Sequence, residues 1–229
     1  MLKDKIIELK PECVLDIGCR DGSFTSEISE YCGKVVAVDI NPDAIEKARK
    51  EFSRINIKYQ VGDGRCLEFD NAAFDLVYEK DALHHIKEWQ TALDEMLRVS
   101  SKNVLIEEPF NDGQTEGKRN RIKAQELFLE VEQEAGYSHF MYIPLDTLSD
   151  FLKQRGIKFE FEIDTCNKQG TFEEYFEQFE QFASQTKRKD YWIRRLDEFL
   201  KEMKGKPLSH SDTLFIVGQV LREPAIDDK

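Results

Sequence analysis

VLDIGCRDGSFTSEIS (residues 14–29), followed closely by KVVAVDI (residues 34–40), decides the fold. An apolar run from Cys13 to Ile17 stops at a turn containing Gly18 and Gly22. A helical pattern then covers about 22–31 and is stopped by Gly33. A second apolar run, about 34–39, closes on Asp39. Strand, glycine turn, helix and strand make one unit of a parallel sheet. Such a unit places a ligand at the carboxyl ends of its strands, where glycines let it lie against the backbone. An acid closing the second strand can accept hydrogen bonds from both hydroxyls of a ribose.

Outward from this unit the alternation continues. Strands are expected at about 56–60, 74–78 and 103–108, and helices at about 42–53 and 88–98. Asn41 is a natural cap for the first of these helices and Pro42 suits its first position. Leu2 to Leu9 reads as a short amphipathic helix broken by Pro11. Five alternations argue for a doubly wound parallel sheet. After Pro109 the chain is polar from Asn111 to Arg121. A helix of about 115–135 stops at Gly136, and a second, capped by Asp146 or Thr147, ends at Gly156. Strands follow at about 157–164 and 213–220.

The last two strands are separated by an insertion, residues 170–207, that reads as a helical hairpin. Phe172, Tyr175, Phe176, Phe179 and Phe182 recur at helical spacing on one arm, and Trp192, Leu196, Phe199, Leu200 and Met203 on the other. The two arms are expected to pack on each other and on the sheet edge. A lid over an acceptor pocket, or a subunit contact that makes a homodimer, are the functional alternatives. The tail after Arg222 is polar and expected to be loose.

Composition sets outer limits. The 229 residues suit a single domain, 1–229, with a helical segment at 111–143 and the insertion at 170–207. A formal net charge of −12 argues against a nucleic-acid partner, since phosphate contacts need clustered Lys and Arg. Five cysteines stand at irregular spacing with no C-x-x-C pair, so neither a disulfide framework nor a zinc site is indicated, and no metal is expected. Cys13, Cys19, Cys32 and Cys66 read as small buried thiols in a reducing compartment. No signal-peptide core is present and no run approaches the roughly 18 apolar residues of a membrane span, so a cytoplasmic protein is expected.

The turn also discriminates between cofactors. A dinucleotide turn needs G-x-G-x-x-G. Counted from Gly18, Arg20 and Ser23 occupy its second and third glycine positions, which disfavours nicotinamide and flavin dinucleotides. With Asp16, Gly18 and Gly22 it instead resembles the D-x-G-x-G-x-G motif of class I S-adenosylmethionine-dependent methyltransferases, in their small-molecule, type 11-like branch. Arg20 replaces the middle glycine. Asp39 follows Asp16 by 23 residues, as in that family. VGDGRCLEFDNAAFDLVYEKDALHHI (61–86) is similar to its adenine-contact loop and fourth strand. WQTALDEMLRVSSKNVLIEEP (89–109) resembles the following helix and fifth strand, with Ser101-Lys102-Asn103 in place of Pro-Gly-Gly.

The resemblance implies a Rossmann-like, mostly parallel seven-stranded sheet with an antiparallel last strand, plus the helical insertion. It implies S-adenosyl-L-methionine as methyl donor and S-adenosyl-L-homocysteine as product. Asp16, Gly18, Cys19, Arg20 and Gly22 would meet the methionine end, Asp39 and Ile40 the ribose, and Asp63 and Gly64 the adenine; Tyr78 would face the methyl. His85, then His84 and Glu79, are the candidate bases just past strand four. Glu107 and Glu108 at the end of strand five, with Tyr137, His139 and Tyr142, would line the acceptor side. The implied reaction is in-line displacement onto an O, N or C nucleophile of a small molecule. It requires positioned reactants rather than a nucleophile–base triad. A protein methyltransferase, or a catalytically silent cofactor-binding subunit, are the alternatives. Aminopropyl transfer on the same fold is disfavoured, because no acidic polyamine groove is evident.

Overall fold

The computed structural model describes residues 1–221, so the polar tail after Arg222 lies outside the described residues. Strands β1 (Cys13–Ile17), β2 (Lys34–Asp39), β3 (Ile57–Val61), β4 (Phe74–Lys80), β5 (Ser100–Phe110) and β6 (Lys158–Asp164) join the final β9 (Asp212–Gln219) in one seven-stranded sheet. Its order is β3-β2-β1-β4-β5-β9-β6. The first five strands pair in parallel, and β9 runs antiparallel between β5 and the edge strand β6. The sheet is the mixed, doubly wound form implied by the resemblance. A second ribbon pairs β7 (Gln169–Gly170) with β8 (Leu208–Ser209) at the base of the insertion.

Helices α1 (Leu2–Leu9), α2 (Ser23–Ile28), α3 (Pro42–Glu51), α4 (Trp89–Val99) and α6 (Leu145–Gln154) flank the sheet. Side chains alternate across a strand, and β1 shows the consequence. Val14 joins Leu2, Ile6, Ile28, Leu76 and Tyr78 on one face. Leu15 and Ile17 join Val77, Leu93, Met96 and Ile106 on the other. Asp16 has the parity of Val14 and lies in register with Tyr78 of β4, so a carboxylate is carried inside the sheet's end. Asn41 caps α3 by accepting from the backbone N–H groups of Asp43 and Ala44, a device worth about 1 kcal/mol. The cap of α6 is Pro144 rather than Asp146 or Thr147. Asp146 already lies in the first turn, where its Oδ1 accepts from the Thr147 N–H.

The insertion differs from expectation. Its first arm breaks into α7 (Phe172–Tyr175) and α8 (Phe179–Gln185), and α9 (Lys189–Met203) is the second. Its aromatic stripe meets Ala124, Leu127, Phe128 and Val131 of α5 (Glu116–Glu134), making a second apolar core. The sheet edge is not its partner: α5 presents an apolar stripe that the sheet leaves uncovered. Ion pairs Arg188–Glu134 and Arg195–Glu130 run along the seam. Of the segment 111–143, only residues 116–134 are helical. The cysteine expectation also needs correction: Cys19 is buried, Cys13 and Cys32 are partly so, and Cys66 is exposed. Cys66 sits in the turn after β3, where its N–H is held by the Asp63 carbonyl.

Candidate active site

At the carboxyl ends of β1, β2 and β4 lies a cavity of about 720 Å³. The first turn gives it Asp16, Gly18, Cys19 and Arg20. The end of β2 gives Asp39 and Ile40, and the loop after β3 gives Asp63 and Gly64. His84 and His85 come from the 3₁₀ turn Leu83–His85 beyond β4.

The turn is bent by two N–H groups, those of Gly18 and Cys19, that share the Val38 carbonyl at 2.8 and 3.0 Å. Gly18 has φ 76°, and a Cβ there would meet the Ala82 Cβ at 2.5 Å. Arg20 holds φ 51°, the left-handed conformation that a glycine would adopt without strain. Its N–H donates to Asp39 Oδ2 at 2.8 Å, and the Asn41 N–H donates to Asp39 Oδ1 at 2.9 Å. Each Asp39 oxygen therefore keeps one lone pair. Gly22 does not reach the cavity. A Cβ there would strike the Tyr59 ring at 2.7 Å, so this glycine serves helix packing.

Asp16 is buried, and its Oδ2 accepts from Thr25 Oγ1 at 2.6 Å and from the Tyr78 hydroxyl at 2.5 Å. Burial pushes its pKa up to about 6 against the pull of those two donors. Tyr78 is wholly buried and off the cavity wall. It faces Asp16 rather than a methyl group, because β4 and β1 are in register there. Burial, then the Asp16 charge, hold its hydroxyl well above the usual range, so it stays a donor. Asp63 is gripped: the Arg65 N–H and guanidinium occupy both of its oxygens, and Arg65 also pairs with Glu88 at 2.6 Å. Adenine recognition by Asp63 would require this clamp to share or yield.

The candidate bases separate. Glu79 is fully buried below the cavity, and its Oε2 accepts from the Ala82 and Leu83 N–H groups at 3.0 and 3.3 Å. Burial and the neighbouring Glu108 charge push its pKa well above the ordinary carboxylate range. Burial thus favours its neutral form, and it positions the turn from below rather than facing an acceptor. Glu79→Gln, isosteric with the neutral carboxylic acid, is expected to match wild-type stability at pH 4. A raised folded pKa gives stability that is full below the unfolded value and lost as pH rises toward the folded one. The variant is therefore expected to become the more stable protein by pH 8, as urea unfolding at the two pH values will show.

His84 and His85 line the cavity, and the segment 138–140 brings His139 beside them. The ring centroids of His85 lie 4.3 Å from those of His84 and 4.5 Å from those of His139. Burial, then the neighbouring His84, lower the pKa of His85. Glu108 sits beneath, accepting from the Leu83 N–H and pairing with His84. Tyr142 sets its ring edge-on to His84 at 5.8 Å. Glu107 turns the other way, accepting from the Leu2 N–H at 3.1 Å and pairing with Lys80. Tyr137 is exposed and bonds to Gln185 of the insertion. Glu108, His139 and Tyr142 stand behind or beside the histidine turn, and none of them, nor Glu107 or Tyr137, lines the cavity itself. Arg65, Lys80 and Asp81 do so without having been anticipated. The only sequence signal for Arg65 is a cation two residues after an acid.

Residues 15–106 match the family model described as a methyltransferase domain. Over 95 residues the chain is 36% identical to an uncharacterised methyltransferase of Mycobacterium tuberculosis, covering 42% of this chain and 48% of that one. The chain thus spans about half the length of the curated relatives it matches. The YcgJ protein of Bacillus subtilis superposes with a TM-score of 0.68 at 18% identity, over 96% of this chain and 98% of that one. Phosphoethanolamine N-methyltransferase 2 of Haemonchus contortus, solved with S-adenosyl-L-methionine, gives 0.58 at 17% identity over 96% of this chain and 52% of that one. At these identities the structural likenesses show the shared fold. Fold and glycine turn together are similar to those of the methyltransferases among these structures. The family-model match lies over β1 to β5, the part of the chain that also carries the glycine turn and the acids at the strand ends. Among the described residues, no helix is long and apolar enough to cross a membrane.

Proposed function

We propose that the chain transfers a methyl group from S-adenosyl-L-methionine to an O, N or C nucleophile of a small molecule. The supporting observation is one cavity rimmed by Asp16, Asp39 and Asp63 at the strand ends, with no room for a Cβ at Gly18. Its volume lies in the range that encloses a small ligand. Asp16 suits the amino group of the methionine portion, because a buried carboxylate gains most from a cation. The two remaining lone pairs of Asp39 suit the two ribose hydroxyls. Gly64 offers a flat backbone to the adenine, since a Cβ there would stand 3.0 Å from Ile17 Cγ2.

The donor supplies a methyl on a sulfonium, already a good leaving group. What remains for the protein is to hold both reactants in line and keep water out. The histidine turn forms the acceptor end, and an O–H or N–H acceptor gives up its proton there.

Calorimetry with S-adenosyl-L-homocysteine tests the reading. One molecule is expected to bind per chain, and no uptake by folded protein would overturn the proposal. The bound ammonium favours ionised Asp16, so affinity is expected to fall with pH below about 6. At pH 5 only about a tenth of Asp16 is ionised, which predicts about a tenfold loss. Asp16→Asn is expected to bind weakly and to lose that pH dependence.

A further inference from the structure

The three histidines at the acceptor end share a feature that a proton-transfer role leaves unexplained. One ring nitrogen from each of His84, His85 and His139 lies within 4.8 Å of the other two. Each Nδ1 is already committed. His84 Nδ1 meets Glu108 Oε2 at 2.7 Å, His139 Nδ1 meets Glu132 Oε2 at 2.7 Å, and His85 Nδ1 meets the Ser138 carbonyl at 3.0 Å. A carboxylate or carbonyl partner only accepts, so each neutral ring carries its proton on Nδ1. All three Nε2 atoms then keep a lone pair. Three neighbouring rings that each offer only an acceptor nitrogen cannot satisfy one another by hydrogen bonds, whereas one cation can take all three.

The support behind the rings fits the same purpose. Metal-bound histidines donate their second nitrogen to a carboxylate or carbonyl that fixes tautomer and ring orientation. Here every ring has such a partner, drawn from β5, α5 and the 138–140 segment. The Phe140 N–H bonds the His84 carbonyl at 2.9 Å, which ties His139 to the turn that carries the other two.

We propose that His84, His85 and His139 bind one divalent transition-metal ion through Nε2, with a coordination position left open to the cavity. Three protein ligands with a free position are the pattern of a catalytic rather than structural site. Tetrahedral zinc with bonds of about 2.0–2.1 Å sets ligand nitrogens about 3.3 Å apart, so the rings draw together on binding. The role, as distinct from the site, rests on the methyltransferase reading. An acceptor hydroxyl or thiol takes the open position and releases its proton to solvent, because the ion lowers its pKa. Its lone pair forms the bond to the methyl carbon while the carbon–sulfur pair remains on the donor's sulfur. His85 is then a ligand, and no protein base is needed.

The test is titration of tag-free, metal-free full chain with Co²⁺, followed by visible absorption, with S-adenosyl-L-homocysteine calorimetry on the same sample. Saturation at one ion per chain, with bands of a nitrogen-bound cobalt, is the expected result. His139 is partly exposed, so His139→Ala is expected to keep the fold, checked by melting temperature, and to lose the bands. Glu132→Gln retains all three ligands and is expected to weaken binding by about 10–100-fold. Failure of saturable uptake by chain that binds the nucleoside would overturn the site, as would unchanged uptake by a folded His139→Ala. Cobalt bound without nucleoside binding would uphold the site and remove the methyltransferase role instead.

Discussion

Asp39→Ala is expected to weaken S-adenosyl-L-homocysteine binding by at least about a hundredfold. The estimate follows from what the carboxylate has left to give. Its oxygens already accept the Arg20 and Asn41 N–H groups, and two lone pairs remain for two ribose hydroxyls. A hydrogen bond to a charged group is worth about 1.5–3 kcal/mol, so losing both removes about 3 kcal/mol or more. Alanine also frees the Arg20 N–H, and with it the residue that already holds φ 51° without a glycine's freedom. The turn therefore loosens as the ligand contacts vanish. Asp39→Asn keeps one acceptor oxygen and is expected to fall between the two. Calorimetry of the three proteins, with melting curves to show that each is folded, decides the matter. An alanine variant that binds within threefold of wild type would remove Asp39 from the nucleoside site.

Much of this was legible in sequence because it is set locally. The bounds of β1 and β2 follow from apolar runs that end at a glycine and an acid, and Asn41-Pro42 signs the start of α3 by cap chemistry. Depth and partner are not local. Tyr78 and Glu79 stand together at the end of β4, yet register with β1 gives one to Asp16 while the other is sealed beneath the turn. Glu107 and Glu108 point to opposite faces of β5 by the period of two, and only the packed sheet reveals that α1 waits on one side and His84 on the other. The aromatic stripe of the insertion was readable, but its partner α5 lies some forty residues earlier in the chain. Periodicity names a buried face without naming what buries it. The histidine cluster escaped for the same reason. A pair in one turn and a single residue more than fifty positions later have no metal-ligand spacing; the Phe140–His84 backbone bond and the Ser138–His85 bond bring them together in the fold.

Lys118→Ala is expected to cost about 3–5 kcal/mol of stability, the range found when one partner of a buried ion pair is removed. Lys118, in the first turn of α5, and Asp212, at the start of β9, are hydrogen-bonded and both buried. Asp212 Oδ1 also takes the Cys166 N–H at 2.9 Å, so one carboxylate fastens α5, β9 and the loop after β6. The two halves of the pair are unequal. Without Asp212, Lys118 still has the half-buried Asp112 at 3.4 Å. Without Lys118, Asp212, only 2% exposed, has no other ion-pair partner among the described residues. Lys118→Ala is therefore expected to be the more damaging change, and Asp212→Asn milder, since the amide carries no charge and keeps an acceptor for Cys166. For a chain of this length, each kcal/mol moves the melting temperature by about 2–4 °C, so the lysine variant should melt roughly 10 °C early. A loss below about 1 kcal/mol would show that the pair is solvated and does not fasten the helical lobe. The consequence reaches the site, because α5 also carries Glu132, the partner of His139. A lobe released at Lys118 is expected to lower Co²⁺ affinity at temperatures where the chain is still folded, and Lys118→Met with Asp212→Leu, which removes both charges and refills the space, is expected to recover part of both losses.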